Sequence, residues 1–266
     1  MNRIIREKTR TLKAMGKQAL SGHWGDAILI CLCGELIVTL PSILFDLLPV
    51  GMQTQFVATI FNVYAIFIHG PISLSLSNYF IKVFRQETSS GLSANLKFGF
   101  GCTRKAVSLY IRIMLITWLG SMFFLIPGII AALNYSQAFY ILADNPENSP
   151  AQCMIESKFI MRGNKITYLK LLLSFAGWYI LAAIPAAICH IVVDASSIQM
   201  MRDFIIQGDI YNAIIQANVQ SPLVSVLFFL QVIVSPYINS SKVSFFDILV
   251  GKLEVRPYEE VPEAEL

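Results

Sequence analysis

The feature that most limits what this chain can fold into is a series of apolar stretches, most of them near the roughly 20 residues that carry a helix across a hydrocarbon core of about 30 Å. Six such stretches are read as spans, over 27–48, 56–80, 106–126, 129–143, 166–190 and 223–239. The composition agrees, since 55% of the residues are hydrophobic and only 14% charged. The mean hydropathy of +0.61 lies above the balance usual for soluble domains. The expected fold is therefore all-α: a polytopic transmembrane helical bundle of six spans arranged as three hairpins, with cytoplasmic amphipathic helices.

The fourth stretch is kept apart from the third because Pro127 and Gly128 interrupt the block, and one helix over 106–143 would overrun a bilayer. Charge then sets orientation, because Lys and Arg near span ends stay on the cytoplasmic side. Arg3, Arg6, Lys8, Arg10, Lys13 and Lys17 precede the first span, and Lys82, Arg85, Lys97, Arg104 and Lys105 follow the second. Lys158, Arg162 and Lys165 follow the fourth, and Lys242, Lys252 and Arg256 the sixth. All fall on one side of a six-span topology with both termini cytoplasmic, whereas a five-span topology would strand one of these groups outside. The outer loop over 194–220 holds Arg202 as its only basic residue. The basic start also lacks the apolar core of a cleavable signal peptide. A single transmembrane domain over 1–253 is expected, with a basic amphipathic segment over 1–26 and an acidic, disordered tail over 254–266.

A basic amphipathic segment leads into a hairpin three times: at Leu20-Ser21-Gly22-His23-Trp24, at Leu96-Lys97-Phe98-Gly99-Phe100 and at Met161-Arg162-Gly163-Asn164-Lys165. Each carries a glycine where a surface helix could turn into the membrane. Basic residues and a glycine also precede spans in unrelated inner-membrane proteins, so a true repeat is one of two readings. Ile4, Ile5, Leu12, Met15 and Leu20 share part of one helical face, which predicts an N-terminal helix lying on an anionic leaflet. Nucleic-acid binding is not expected of a basic run tethered this close to the membrane and without a reader motif. In the outer loop, Ile198, Met201, Ile205, Ile206, Ile210 and Ile214 recur at helical spacing, as in a surface-lying helix or lid. Cys31, Cys33, Cys102, Cys153 and Cys189 are expected to be free thiols.

The segments Ile126-Pro127-Gly128-Ile129-Ile130 and Tyr140-Ile141-Leu142-Ala143-Asp144-Asn145-Pro146 resemble a bacterial integral-membrane family catalogued as domain of unknown function 975. Gly163-Asn164-Lys165 with Leu173-Ser174-Phe175-Ala176-Gly177-Trp178, and Pro236-Tyr237 with Phe245-Phe246-Asp247-Ile248-Leu249, are similar to its later signatures. Gly22-His23-Trp24-Gly25 resembles its entry into the first span, with His23 where asparagine is usual. Ala131 and Phe246 stand where lysine and tyrosine are common, so no family role passes to those positions. The family is itself similar to the membrane region of some glycerophosphodiester phosphodiesterases. Hydrolysis there belongs to a separate barrel, so no catalysis is implied here. The resemblance implies a membrane fold in a bacterial cytoplasmic membrane and no established biochemical role.

Chemistry would have to come from ionisable groups within the spans, where a charge costs about 2.5–3.5 kcal/mol at mid-bilayer and needs a partner or a cavity. Glu35, His69 and Arg112 are the leading candidates, as a proton or ion relay or a counter-charge for a substrate. The competing reading is a structural pair or a neutral, hydrogen-bonded Glu35, and Arg112 can also snorkel to the interface. Asn134, Ser136, Gln137 and Tyr140 form a polar face beside the Pro127-Gly128 break, as in broken helices that line transporter sites, or as glue between helices. Asp46, His190 and Asp194 sit near outer span ends. No spacing of His, Cys or acids suits a metal, Cys31 and Cys33 point about 200° apart, and no enzyme motif or cofactor loop occurs. The leading expectation is a non-enzymatic protein that binds, moves or gives resistance to a small amphiphile or peptide, in contact with membrane lipids and with room for a membrane-protein partner. The alternatives are a membrane enzyme on lipid headgroups with Glu35 or Asp46 as base, and a structural scaffold.

Overall fold

The computed structural model describes residues 3–5, 7–48, 52, 54–87, 91–178, 180 and 232–252. Among these there are ten helices and no strand: α1 Thr9–Ala19, α2 Trp24–Asp46, α3 Gln55–Phe84, α4 Leu92–Gly101, α5 Thr103–Phe123, α6 Leu125–Tyr135, α7 Ala138–Asp144, α8 Pro150–Ile160, α9 Lys165–Leu173 and α10 Ser235–Val250. Three segments, Trp24–Phe45, Gln55–Phe84 and Leu125–Asp144, are long and apolar enough to cross a membrane. They coincide with the first, second and fourth expected spans, and α5 occupies the place of the third. Parts of the fifth and sixth spans, the outer loop, Cys189, His190, Asp194 and the tail over 254–266 lie outside the described residues.

The break between the third and fourth stretches comes one turn before Pro127. Phe124 is extended, with φ −160° and ψ 151°, and α6 starts at Leu125. Pro127 and Gly128 thus fall in the first turn of α6, where a missing N–H costs nothing because first-turn amides have no intrahelical acceptor. The chain then doubles back. Gly128 lies against Gly120 and Ser121 of α5, small residues that let the backbones approach. At the other end Lys105, in the first turn of α5, donates to the Pro146 and Glu147 carbonyls just past α7. Helices α2 and α3 are antiparallel as well. Phe45 meets Phe61 edge-on at 5.9 Å, the Tyr64 hydroxyl lies 3.4 Å from the Ile37 carbonyl, and Gly34 faces Ile72.

A short helix precedes the next helix at three points, α1 before α2, α4 before α5 and α8 before α9, and two of these joints share one geometry. Leu20 and Met161 are fully buried, and Gly22 and Gly163 are left-handed, with φ +85° and +80°, a conformation that strains any side chain. The residues that follow, His23 and Asn164, donate backbone N–H to the Leu20 and Met161 carbonyls at 2.9 and 3.2 Å. Their own carbonyls accept from Ala27 and Tyr168, both at 3.0 Å. The middle joint differs from expectation: Gly99 lies inside α4, and Cys102 alone separates α4 from α5. Gly99 instead allows α4 to press on α3, where a Cβ would overlap the Pro71 carbonyl and the Ser75 hydroxyl.

The apolar face of α1 is not spread on a leaflet, contrary to the sequence expectation. Ile5, Leu12 and Leu20 are buried and Ile4 is exposed, because α10 offers α1 a face of small hydroxyl residues. Ser240 and Ser244 donate to the Gly16 and Leu12 carbonyls at 2.9 and 3.0 Å. A Cβ on Gly16 would lie 2.8 Å from the Ser241 nitrogen. Asn164 ties down the segment before α1, accepting from Ile5 N–H and donating to the Arg3 carbonyl, both at 2.8 Å. Lys13 donates to the Ser174 carbonyl at 2.9 Å, at the end of α9, and stands 4.1 Å from the centre of the Phe175 ring.

Candidate functional site

The antiparallel pairing of α2 and α3 brings the level of Glu35 to that of His69, and the two interact electrostatically. His69 stacks on Tyr110 of α5, with ring centroids 5.3 Å apart and planes within 6°. Glu35 itself is exposed at the bundle surface. One turn before it on α2, Cys31 is buried and lies near the Asn239 side chain. Lys242, one turn further along α10, lies within electrostatic reach of the same thiol, as does Glu35. Tyr140 of α7 completes the surroundings. It is buried, its ring is 5.6 Å from that of Phe246, and it feels Cys31.

Lys242 and Asn239 were not singled out in the sequence. The sixth span was ended at 239, which turned Lys242 into a loop charge, whereas α10 continues to Val250 and ends at left-handed Gly251. The signal was there in the sequence: Asn239 and Lys242 stand three apart in an otherwise small and apolar run, a spacing that puts them on one helical face. Among the described residues Lys242 makes no ion pair and donates no hydrogen bond.

The remaining candidates do not join this group. Asn134 and Gln137 flank the break between α6 and α7, where Ser157 of α8 is the central partner. Its hydroxyl donates to the Asn134 carbonyl at 2.7 Å and accepts from Gln137 N–H at 3.2 Å. The side-chain oxygens Asn134 Oδ1 and Gln137 Oε1 are buried and accept nothing from the described residues. Arg112 is exposed and bonds only its neighbour one turn back, Nε to Ser108 Oγ at 3.3 Å. The side chain of Asp46 is outside the described set, and no group of three His, Cys or acidic residues among the described ones could hold a metal ion.

A second charged cluster closes one end of the bundle. Arg85, just past α3, holds Asp247 of α10 through two bonds, at 2.6 and 3.1 Å, and Asp144 of α7 through a third at 2.6 Å. Lys252 reaches both oxygens of Asp144 at 2.7 and 2.8 Å. Burial works against the Arg85 charge, and the two carboxylates outweigh it, holding the guanidinium above its usual range. Two acids and two bases balance here, so the cluster fastens α3, α7 and α10 together and offers no unspent charge.

No curated protein and no solved structure matches this chain, and the link to the membrane region of glycerophosphodiester phosphodiesterases stays an expectation. A family model does match, over residues 105–253. The matched region contains both acids of the Arg85 cluster, the Asn164 joint, and Asn239 and Lys242. Since the match covers more than half of the 266 residues, the chain belongs to the family described as protein of unknown function DUF975.

Proposed function

We propose that this protein is a non-enzymatic component of a bacterial cytoplasmic membrane, with six spans and both ends inside, that binds and moves or neutralises a small amphiphile. The observation that carries this reading is the set of polar groups around Cys31. An acid, Glu35, and an ammonium, Lys242, stand on different helices, each within electrostatic reach of one buried thiol, and Lys242 has no counter-charge among the described residues. A partly buried cation without a partner is costly, and a ligand carrying both signs of charge would relieve it. The ends-inside topology draws support from the gathering of Arg85, Lys105 and Lys252 at one end of the helices.

The test uses the full chain in nanodiscs and a dansyl-labelled zwitterionic acyl amphiphile as probe. Saturable binding is expected, lost in both Glu35→Gln and Lys242→Met while thermal unfolding is unchanged. Equal loss of folding in both variants, or binding unaffected by either, would show these groups to be structural. Topology is tested separately, by a reporter fused after Lys165. An exterior location there would remove the six-span reading.

A further inference from the structure

A second feature lies on the opposite flank of α3, away from the Cys31 group and independent of it. Between α3 and α5 runs an open groove of about 470 Å³, walled by Phe67, Val107 and Ile111 and bordered by Arg104, Ser108 and Arg112. The residues of α5 recur at 104, 107–108 and 111–112, so they form one stripe along the helix. The stripe has apolar walls and a guanidinium at either end.

Three observations bear on what fills it. First, Arg112 is well inside α5: it follows Tyr110 by two residues, and Tyr110 stacks on His69, which belongs to the Gln55–Phe84 span. Second, Arg112 does not extend sideways. Its Nε reaches back to Ser108, one turn toward the start of the helix, which turns the guanidinium toward Arg104, as a snorkelling side chain does toward a headgroup layer. Third, the first turn of α5 carries Arg104 and Lys105 and no acid, so its cations oppose the helix dipole instead of complementing it. Lys105 spends its donors on the Pro146 and Glu147 carbonyls, and Arg104 has no hydrogen bond or ion pair among the described residues.

We infer that this groove is a binding site for an anionic phospholipid of the inner leaflet. The phosphate sits between Arg104 and Arg112 near Ser108, and one acyl chain lies along Val107, Ile111 and Phe67. The charge arrangement asks for an anion, and the apolar walls select one that carries a chain over free phosphate. Two guanidinium groups separated by two turns of helix can bracket a headgroup from both sides, which a single exposed arginine could not do.

The experiment is native mass spectrometry of the full chain in neutral detergent, titrated with phosphatidylglycerol or phosphatidylcholine. The expected result is tighter retention of phosphatidylglycerol, weakened about fivefold by either Arg104→Gln or Arg112→Gln and reduced to the phosphatidylcholine level in the double variant. The double Arg→Lys variant should keep most of the preference, and Ile111→Trp, which fills the groove, should weaken both lipids. These two variants decide the matter should the double glutamine variant fail to fold. Equal retention of the two lipids by the native chain, an unchanged preference in the double glutamine variant, or displacement of phosphatidylglycerol by millimolar inorganic phosphate would each overturn the site. So would lipid retention that tracks a monomer–dimer change, which would make the groove a contact between copies.

Discussion

The two halves of α3 belong to one continuous helix and have entirely different surroundings. From Gln55 to His69, the side chains of Phe56, Ile60, Val63, Tyr64 and Phe67 are exposed. From Gly70 to Val83 nearly every residue is buried, Ser75, Ser77 and Asn78 among them. The outer parts of α2, α5 and α6 repeat the first pattern, with Leu40, Leu44, Leu119, Met122 and Ile126 bare. Helices α1, α4, α7 and α10 cover the second half. One half of the molecule thus leaves its apolar surface bare, as a surface facing lipid would be, and the other covers itself. Only the self-covered half needs serines, asparagines and an ion cluster to satisfy what it buries.

The contrast is broken most directly by one residue type at two places on one helix. Phe80 is 1% exposed and Phe56 is 74% exposed. Phe80→Ala is expected to cost about 3–5 kcal/mol through the cavity it leaves, and Phe56→Ala less than about 0.5 kcal/mol. Reversible unfolding in mixed micelles measures both. Similar losses at the two sites would mean that the outer half is packed against protein after all.

The ion cluster comes next. Asp247→Asn keeps the shape of the side chain and removes the charge that receives two bonds from Arg85. A loss of about 1.5–3 kcal/mol is expected, as for hydrogen bonds to charged groups, with no effect on lipid binding at Arg104 and Arg112. A neutral outcome would indicate that Asp144 and Lys252 alone hold that end together.

How much of this division could be read from the residues depends on the length scale of the signal. The first, second and fourth stretches were legible as candidate spans because crossing a bilayer needs a set block length, and the doubling back after α5 was legible because Pro127 and Gly128 interrupt a block too long for one spanning helix. The break itself was misplaced by a turn, since Pro127 is a signal of helix starts as much as of helix ends. The burial of α1 was not legible at all. An amphipathic basic helix reads the same whether lipid or another helix takes its apolar face, and the deciding partner, the Ser240, Ser241 and Ser244 face of α10, lies more than 200 residues away. For the same reason Glu35, His69 and Tyr140 could be singled out as candidates by type, whereas Asn239 and Lys242 were hidden by ending a span at its hydropathy edge.

Thiol chemistry gives a third comparison, inside the self-covered half. Cys153 in α8 is fully buried, and burial, with Glu156 adding to it, pushes its thiol up to about 11 from an ordinary value of 9.0. Because the folded state holds this proton more tightly than the unfolded chain, its contribution to stability is intact below pH 9. It declines as the pH rises from about 9 to about 11. In two single-cysteine variants, a maleimide at pH 7.5 should leave Cys153 unmodified until the protein is denatured, while Cys102, partly exposed at the α4–α5 joint, should react in the native state. Equal rates would show that α8 lifts away from the bundle.

The smallest expected effect probes how firmly the N-terminal helix is fastened. Lys13 caps the end of α9 through the Ser174 carbonyl and lies over the Phe175 ring, and it faces partly toward solvent. A carbonyl at a helix end and the face of an aromatic ring both attract a cation, but near water each is weak. Lys13→Met should therefore cost about 0.5–1 kcal/mol, where Lys17→Met, on the exposed side of the same helix, should cost nothing measurable. If the two variants are indistinguishable, α1 is held by Gly16 and the α10 serines alone, and its contact with α9 follows from that packing without adding to it.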